Sequence, residues 1–136
     1  MSQKLAEENQ NPFAMTKKEL GVFGEKLAQK YLTQNHFKIL ECNYRFPFGE
    51  VDIIAQEEDE LVFCEIKTRL KTIDAAPELA VGREKQEKYC KMARLYLAQH
   101  PQYESVRFDV IAIVMSGETQ GCLRHLRSAF ICGEEL

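Results

Sequence analysis

Two short segments, Gly49 to Gln56 and Leu61 to Thr68, constrain the fold more than any other part of the chain. In the first, Val51, Ile53 and Ala55 alternate with Glu50, Asp52 and Ile54; in the second, Val62, Cys64 and Ile66 alternate with Leu61, Phe63, Glu65 and Lys67. Alternation with period two marks β-strands. The acidic Glu57-Glu58-Asp59-Glu60 between them reads as a solvated turn, so the segments form an antiparallel hairpin. Each strand owns a wholly apolar face, and a one-residue slip would turn one of those faces outward, which sets the parity of the pairing. A symmetric four-residue loop then opposes Gln56 to Leu61, Ile53 to Cys64, Asp52 to Glu65 and Glu50 to Lys67.

The rest of the chain supplies what must cover this hairpin. Residues 1 to 15 show no periodicity and read as a flexible N-terminal tail, leaving 16 to 136 as a single domain, since 136 residues are too few for two cores. Thr16-x-x-Glu19 offers a capping box to a helix from Lys17 to Gln34, whose stripe of Leu20, Phe23, Leu27 and Tyr31 is bordered by Ala28 and Leu32. Glu25 lies on that border. Gly24 before it weakens the helix, which predicts a close approach to its backbone. Phe37 to Tyr44 reads as a strand and Phe46-Pro47-Phe48-Gly49 as a turn. After a linker from Leu70 to Val81 containing Pro77, a second helix runs from Arg83 to Gln99, with Tyr89, Met92, Ala93 and Tyr96 as its core stripe and Lys85, Lys88 and Lys91 beside it. Arg107 to Met115 is a strand, and Leu123 to Phe130 a weaker one. The order α-β-β-β-α-β predicts an α/β sandwich: a mixed sheet flanked by helices, antiparallel in its hairpin and gaining a crossover strand after the second helix.

Composition narrows the class. At 45% hydrophobic and 29% charged residues the chain should fold around a packed core, and no apolar run approaches the roughly 20 residues of a membrane helix. With a polar start that lacks a signal-peptide core, the expected location is cytoplasmic. Five scattered cysteines (Cys42, Cys64, Cys90, Cys122, Cys132) contain no CxxC pair and read as buried reduced thiols. His36, His100 and His125 are too dispersed for a metal site and read as surface or edge residues. Net charge is −3, yet residues 67 to 107 hold nine Lys or Arg against five acids. Such a stretch is either a phosphate-binding face or a solvated helix of mixed charge.

The register carries the chemistry. Asp52 and Glu65 opposed on one sheet face repel each other, which calls for a cation. A hard divalent ion, Mg²⁺ or Mn²⁺, takes such oxygen ligands, and Lys67, two residues after Glu65 and so on the same face, could hold a phosphate or orient a water. The competing interpretation is a salt-bridged sheet surface in which Lys67 neutralises Glu65 and Glu50. Asp109, amid Phe108 and Val110, reads as a structural partner of Arg107 or of a helix end rather than as a metal ligand.

Taken together, Gly24-Glu25, Gly49-Glu50-Val51-Asp52-Ile53-Ile54-Ala55, Leu61-Val62-Phe63-Cys64-Glu65-Ile66-Lys67-Thr68-Arg69, Lys85 and Arg107-Phe108-Asp109-Val110 resemble the YraN family of small bacterial proteins over about residues 17 to 130. The resemblance implies a restriction-endonuclease-like fold of the PD-(D/E)XK superfamily, similar to archaeal Holliday-junction resolvases. By motif it implies Glu25, Asp52, Glu65 and Lys67 as catalytic residues, with Asp52, Glu65 and Glu25 as Mg²⁺ or Mn²⁺ ligands. Val51 stands where the superfamily pattern has Pro. Glu50, Lys85 and Asp109 match further motif positions. Lys85, Lys88, Arg69 and Arg83 are the cations expected to meet DNA. The expected function is a metal-dependent endonuclease on DNA, including branched or repair-intermediate DNA. A non-cleaving nucleic-acid-binding module and a structural or protein-interaction domain are the alternatives. A homodimer stays open.

Overall fold

The computed structural model describes residues 2–71 and 79–133; the expected linker around Pro77 lies outside them. The elements are β1 (Gln3–Lys4), a short 3-10 turn (Pro12–Ala14), α1 (Lys17–Gln34), β2 (Phe37–Phe46), β3 (Gly49–Glu57), β4 (Glu60–Leu70), α2 (Arg83–Gln99), β5 (Val106–Met115) and β6 (Gln120–Phe130). One six-stranded sheet has the order β1-β6-β5-β4-β3-β2, antiparallel throughout except where β4 and β5 run parallel. This is the α-β-β-β-α-β mixed sheet of the sequence reading, extended by β6 and by a two-residue β1. The expected tail is therefore corrected: Gln3 and Lys4 pair with Gly121 and Gln120, Ala6 is buried, and Leu5 and Ala6 both donate to the Thr119 carbonyl. Two residues are too short a strand to leave a periodic trace.

Each sheet face carries its own core. Against one face α1 packs Phe23, Ala28 and Leu32 onto Ile53, Ala55, Val62, Cys64, Ile111 and Ile113. Against the other α2 packs Tyr89, Met92, Ala93 and Tyr96 onto Val51, Ile54, Leu61, Phe63 and Phe108. β4 and β5 are covered on both faces, which is why they read as nearly continuous apolar runs. The capping box forms as expected, with Thr16 Oγ1 accepting from the Glu19 amide and Glu19 accepting from the Thr16 amide.

The cysteine reading is corrected in two respects. Cys90 of α2 is joined to Cys132, with Cα atoms 5.8 Å apart, and Cys42 is exposed, so only Cys64 is a buried free thiol. The pair is 42 residues apart in sequence and meets only because the chain after β6 returns over α2.

Gly24 answers to a specific contact. A Cβ there would fall 1.7 Å from Thr68 Oγ1 and 2.8 Å from Thr68 Cβ, so the missing side chain lets α1 lie directly on β4. At Gly21, one turn earlier, a Cβ would meet nothing within 4 Å. Gly21→Ala should raise stability by about 0.5–1 kcal/mol through helix propensity, whereas Gly24→Ala should lower it by about 1–3 kcal/mol through overpacking. Thermal melts of the two variants check this, and equal effects would show that α1 does not rest on Thr68.

Candidate functional site

The hairpin register is found as read from Gln56↔Leu61 to Ile53↔Cys64, and there the pairing of β3 with β4 stops. Beyond it the alternation of β3 changes: Val51 packs in the α2 core with Ile54, not in the α1 core with Ile53 and Ala55. Asp52 sits at this break. Its Oδ2 accepts the Ile66 amide at 2.8 Å, taking the place of a backbone ladder partner. The expected opposition of Asp52 to Glu65 is thus a contact of side chains across a parting of strands, not a ladder pair. On β4 the even residues Val62, Cys64 and Ile66 face α1 and the odd residues face α2, which aims Glu65 at the second helix.

Glu65 is 5% exposed and held on both oxygens. The Tyr89 hydroxyl of α2 donates to Oε1 at 2.9 Å, and the Lys85 ammonium, half exposed in the first turns of α2, pairs with Oε2. Burial together with the carboxylate beside it pushes the Tyr89 hydroxyl up, so it remains a donor. Burial likewise raises Asp52, helped by a hydrogen bond to Glu65 and by that group's charge; the Ile66 amide pulls the other way, and the result is a carboxyl pushed up to about 8. Two carboxylates in a low-dielectric site cannot both ionise cheaply without a cation.

These groups line a cavity of about 420 Å³ with Lys67, Arg69, Lys85 and Gly82. Lys67 does not neutralise Glu65 or Glu50, as a salt-bridged ladder requires: its ammonium donates to the Ala80 carbonyl, and Glu50 faces Arg45 at 3.7 Å. Glu25 is set apart. It lines the adjoining cavity with Ile66, Thr68 and Arg69, and accepts from Asn43 Nδ2 at 2.9 Å. Among the described residues no group of three or more His, Cys, Asp or Glu is arranged to hold a metal, so the three-carboxylate set is not assembled. The donor set that is present, the buried Glu65 carboxylate beside the half-buried Asp52, suits a hard divalent cation completed by water. Glu65 could offer it Oε2 only after Lys85 swings out.

Of the cations expected to meet DNA, Lys85 and Arg69 line the carboxylate cavity, Lys88 lies in a neighbouring one, and Arg83 stands outside, 3.4 Å from Glu87. Asp109 faces α1, away from the site. Arg107 grips it through two hydrogen bonds at 2.8 and 2.9 Å, the Ser128 amide donates to it at 3.0 Å, and His125 Nε2 lies 2.8 Å from Oδ2. Against the effect of burial, these partners hold its carboxyl below the usual range. His125, expected at the surface or at an edge, stands on β6, next to the edge strand, with its side chain buried as a bridge, Nδ1 2.8 Å from the Tyr31 hydroxyl. Two site residues escaped the sequence reading. Tyr89 was assigned to the core, which its ring does join, and its hydroxyl reach was invisible. Asn43 sits in a left-handed backbone conformation (φ 51°), tolerated by Asn better than by most residues.

Two helices on a mixed sheet, with a carboxylate pair where central strands part and lysines around it, define a two-sided α/β protein with a charged cavity at one edge of its β3–β4 pairing. Residues 24–113 match the model of Uncharacterised protein family UPF0102, and the chain belongs to that family, the YraN family. It is 44% identical over 116 residues to a UPF0102 protein of Thermodesulfovibrio yellowstonii, covering 85% of this chain and 99% of that one. It is also 44% identical over 103 residues to a UPF0102 protein of Dictyoglomus thermophilum, covering 75% and 87%. Among solved structures, Pyrococcus furiosus SfsA in complex with Ca²⁺ is similar at 13% identity and a TM-score of 0.41, covering 84% of this chain and 65% of that one. No helix among the described residues is long and apolar enough to cross a membrane.

The raised Asp52 has a thermodynamic consequence. Between pH 4 and 8 the folded protein keeps a proton that the unfolded chain, with a carboxyl near 3.8, gives up, so this group makes stability fall as pH rises through that window. In metal-free buffer, Asp52→Asn should flatten the decline and be more stable than wild type at pH 8. Parallel urea curves for the two proteins from pH 5 to 8 would contradict the coupling.

Proposed function

We propose that this protein is a Mg²⁺- or Mn²⁺-dependent endonuclease acting on DNA. The observation that carries the reading is the shared cavity in which Asp52 and Glu65 meet Lys67, Arg69 and Lys85. A divalent ion held by Asp52 and Glu65 would supply Lewis-acid polarisation of a phosphoryl oxygen. The protein's own groups do the rest. Arg69 and Lys85 at the mouth attract the phosphodiester backbone, and Lys67, free to leave the Ala80 carbonyl, holds the scissile phosphate or orients the attacking water. Tyr89 fixes the Glu65 carboxylate by its hydroxyl bond. Glu25, one cavity away, acts at most on the surrounding water.

A second reading rests on the Lys85–Glu65 pair and on the two-carboxylate donor set. A site that carries its own cation where a metal would lie suits a module that binds nucleic acid without cutting it. The two readings separate on incubation of the pure protein with Mn²⁺ or Mg²⁺ and a panel of linear, single-stranded, flapped and four-way DNA.

For the endonuclease, Mn²⁺ at a hundredfold excess over Kd should stabilise the fold by about 2.7 kcal/mol. Asp52→Asn and Glu65→Gln should lose most of that gain together with cleavage, while Lys67→Ala keeps the gain and loses cleavage. Metal stabilisation without cutting on any DNA would favour the binding module.

Lys85→Met gives a separate check by calorimetric titration. Freeing Glu65 Oε2 should tighten Mn²⁺ binding on the order of tenfold, about 1.4 kcal/mol, and weaken binding to every DNA sequence alike. An unchanged Mn²⁺ affinity would mean that Lys85 and the metal do not compete.

A further inference from the structure

A second cavity, of about 550 Å³, opens between the β2–β3 turn and α2 and shares Gly82 and Lys85 with the carboxylate cavity. Its outer wall is Phe48, 39% exposed at the tip of the turn, and its floor is Met92 and Tyr89. The turn is a firm mount. Tyr44 and Phe46 stack edge to face at 5.1 Å, Phe46 leans on Phe63, and a Cβ on Gly49 would sit 3.5 Å from Met92 Sδ, so the strand ends rest on α2. Lys85 and Lys88 stand on the rim. Polar or glycine residues ordinarily occupy hairpin tips, and here a well-packed turn presents an aromatic face to solvent beside a cavity lined by Lys88 and by Lys85, whose ammonium pairs with Glu65.

We propose that this cavity holds a single unstacked nucleotide of a DNA substrate, its base against Phe48 and its phosphate on Lys88, joined by Lys85 when that ammonium leaves Glu65. The inference rests on the nucleic-acid reading of the neighbouring site and names the structure that site would select: DNA with an unpaired nucleotide next to the bound phosphate. Size supports it, because a cavity of about 550 Å³ is in the range that takes one small-molecule-sized group. Chemistry supports it as well. Aromatic faces stack any base, and cations beside them neutralise the attached phosphate. The Glu84 carboxylate on the lining is an acceptor suited to an exocyclic amino group of a base, while Glu50 is turned to Arg45. Proximity follows from Tyr89, whose ring lines this cavity while its hydroxyl bonds Glu65 in the other.

The test is a metal-free titration of the full chain with a duplex carrying one bulged 2-aminopurine, beside the same duplex fully paired. The bulged DNA should bind on the order of tenfold tighter, with its 2-aminopurine emission quenched on binding. Phe48→Ala and Phe48→Leu should both lose the preference and the quench, while Phe48→Trp retains them; at a half-exposed turn position all three should fold, as circular dichroism would verify. Equal affinity of wild type for the two DNAs, or a preference that survives Phe48→Leu, overturns this inference and leaves the nuclease reading standing. Failure of wild type to bind either DNA overturns both.

Discussion

The candidate site depends on one hydrogen bond, from the Ile66 amide to the Asp52 carboxylate. At this point in the sheet β3 has stopped pairing with β4, and a half-buried amide left without a partner would be costly. Asp52 meets that need with a side chain in place of a backbone carbonyl. The strands can then separate, Val51 can turn to the α2 core, and a gap opens in which Glu65 is reached from the second helix. The same bond draws the Asp52 carboxyl into a low-dielectric position beside a second carboxylate. Structure and electrostatic strain thus have a common origin.

The two faces of the sheet handle buried charge in opposite ways. On the α1 face, Asp109 has Arg107, His125 and the Ser128 amide around it, and Arg107 passes on to Glu57 at 2.9 Å, so the cluster is closed and satisfied. On the α2 face, Glu65 is balanced by a lysine that is half in solvent, while Asp52 has one amide and a raised pKa. Fully partnered charge is a property of a structural network. A carboxylate pair with a movable counter-ion beside a cavity is a property of a site that exchanges cations or ligands.

Much of this was legible in the sequence because it depends on periodicity. The alternations in Gly49–Gln56 and Leu61–Thr68 specify the hairpin, its parity and the face on which Glu65 and Lys67 lie, and Gly24 announces a close approach to its backbone, though not that Thr68 of β4 makes it. Other features depend on where a side chain ends rather than where it starts. Lys67 shares a face with Glu65 yet reaches the Ala80 carbonyl, while Lys85, twenty residues later and on a different element, takes the Glu65 oxygen. The break at Asp52 was hidden because local alternation continues through it. Cys90–Cys132 and the bridge from Asp109 through His125 to Tyr31 are long-range pairs with no local pattern, as is the pairing of β1 with β6.

The central claim is that Asp52 and the buried Glu65 form a coupled carboxylate pair that needs a cation, and carboxyl ¹³C chemical shifts of Asp52 followed through a pH titration address it directly. The account expects an apparent pKa near 8 in metal-free protein, with the carboxylate form restored well below neutral pH once Mg²⁺ is added. An Asp52 that titrates near 3.8 without metal, and is unmoved by Mg²⁺, would contradict it.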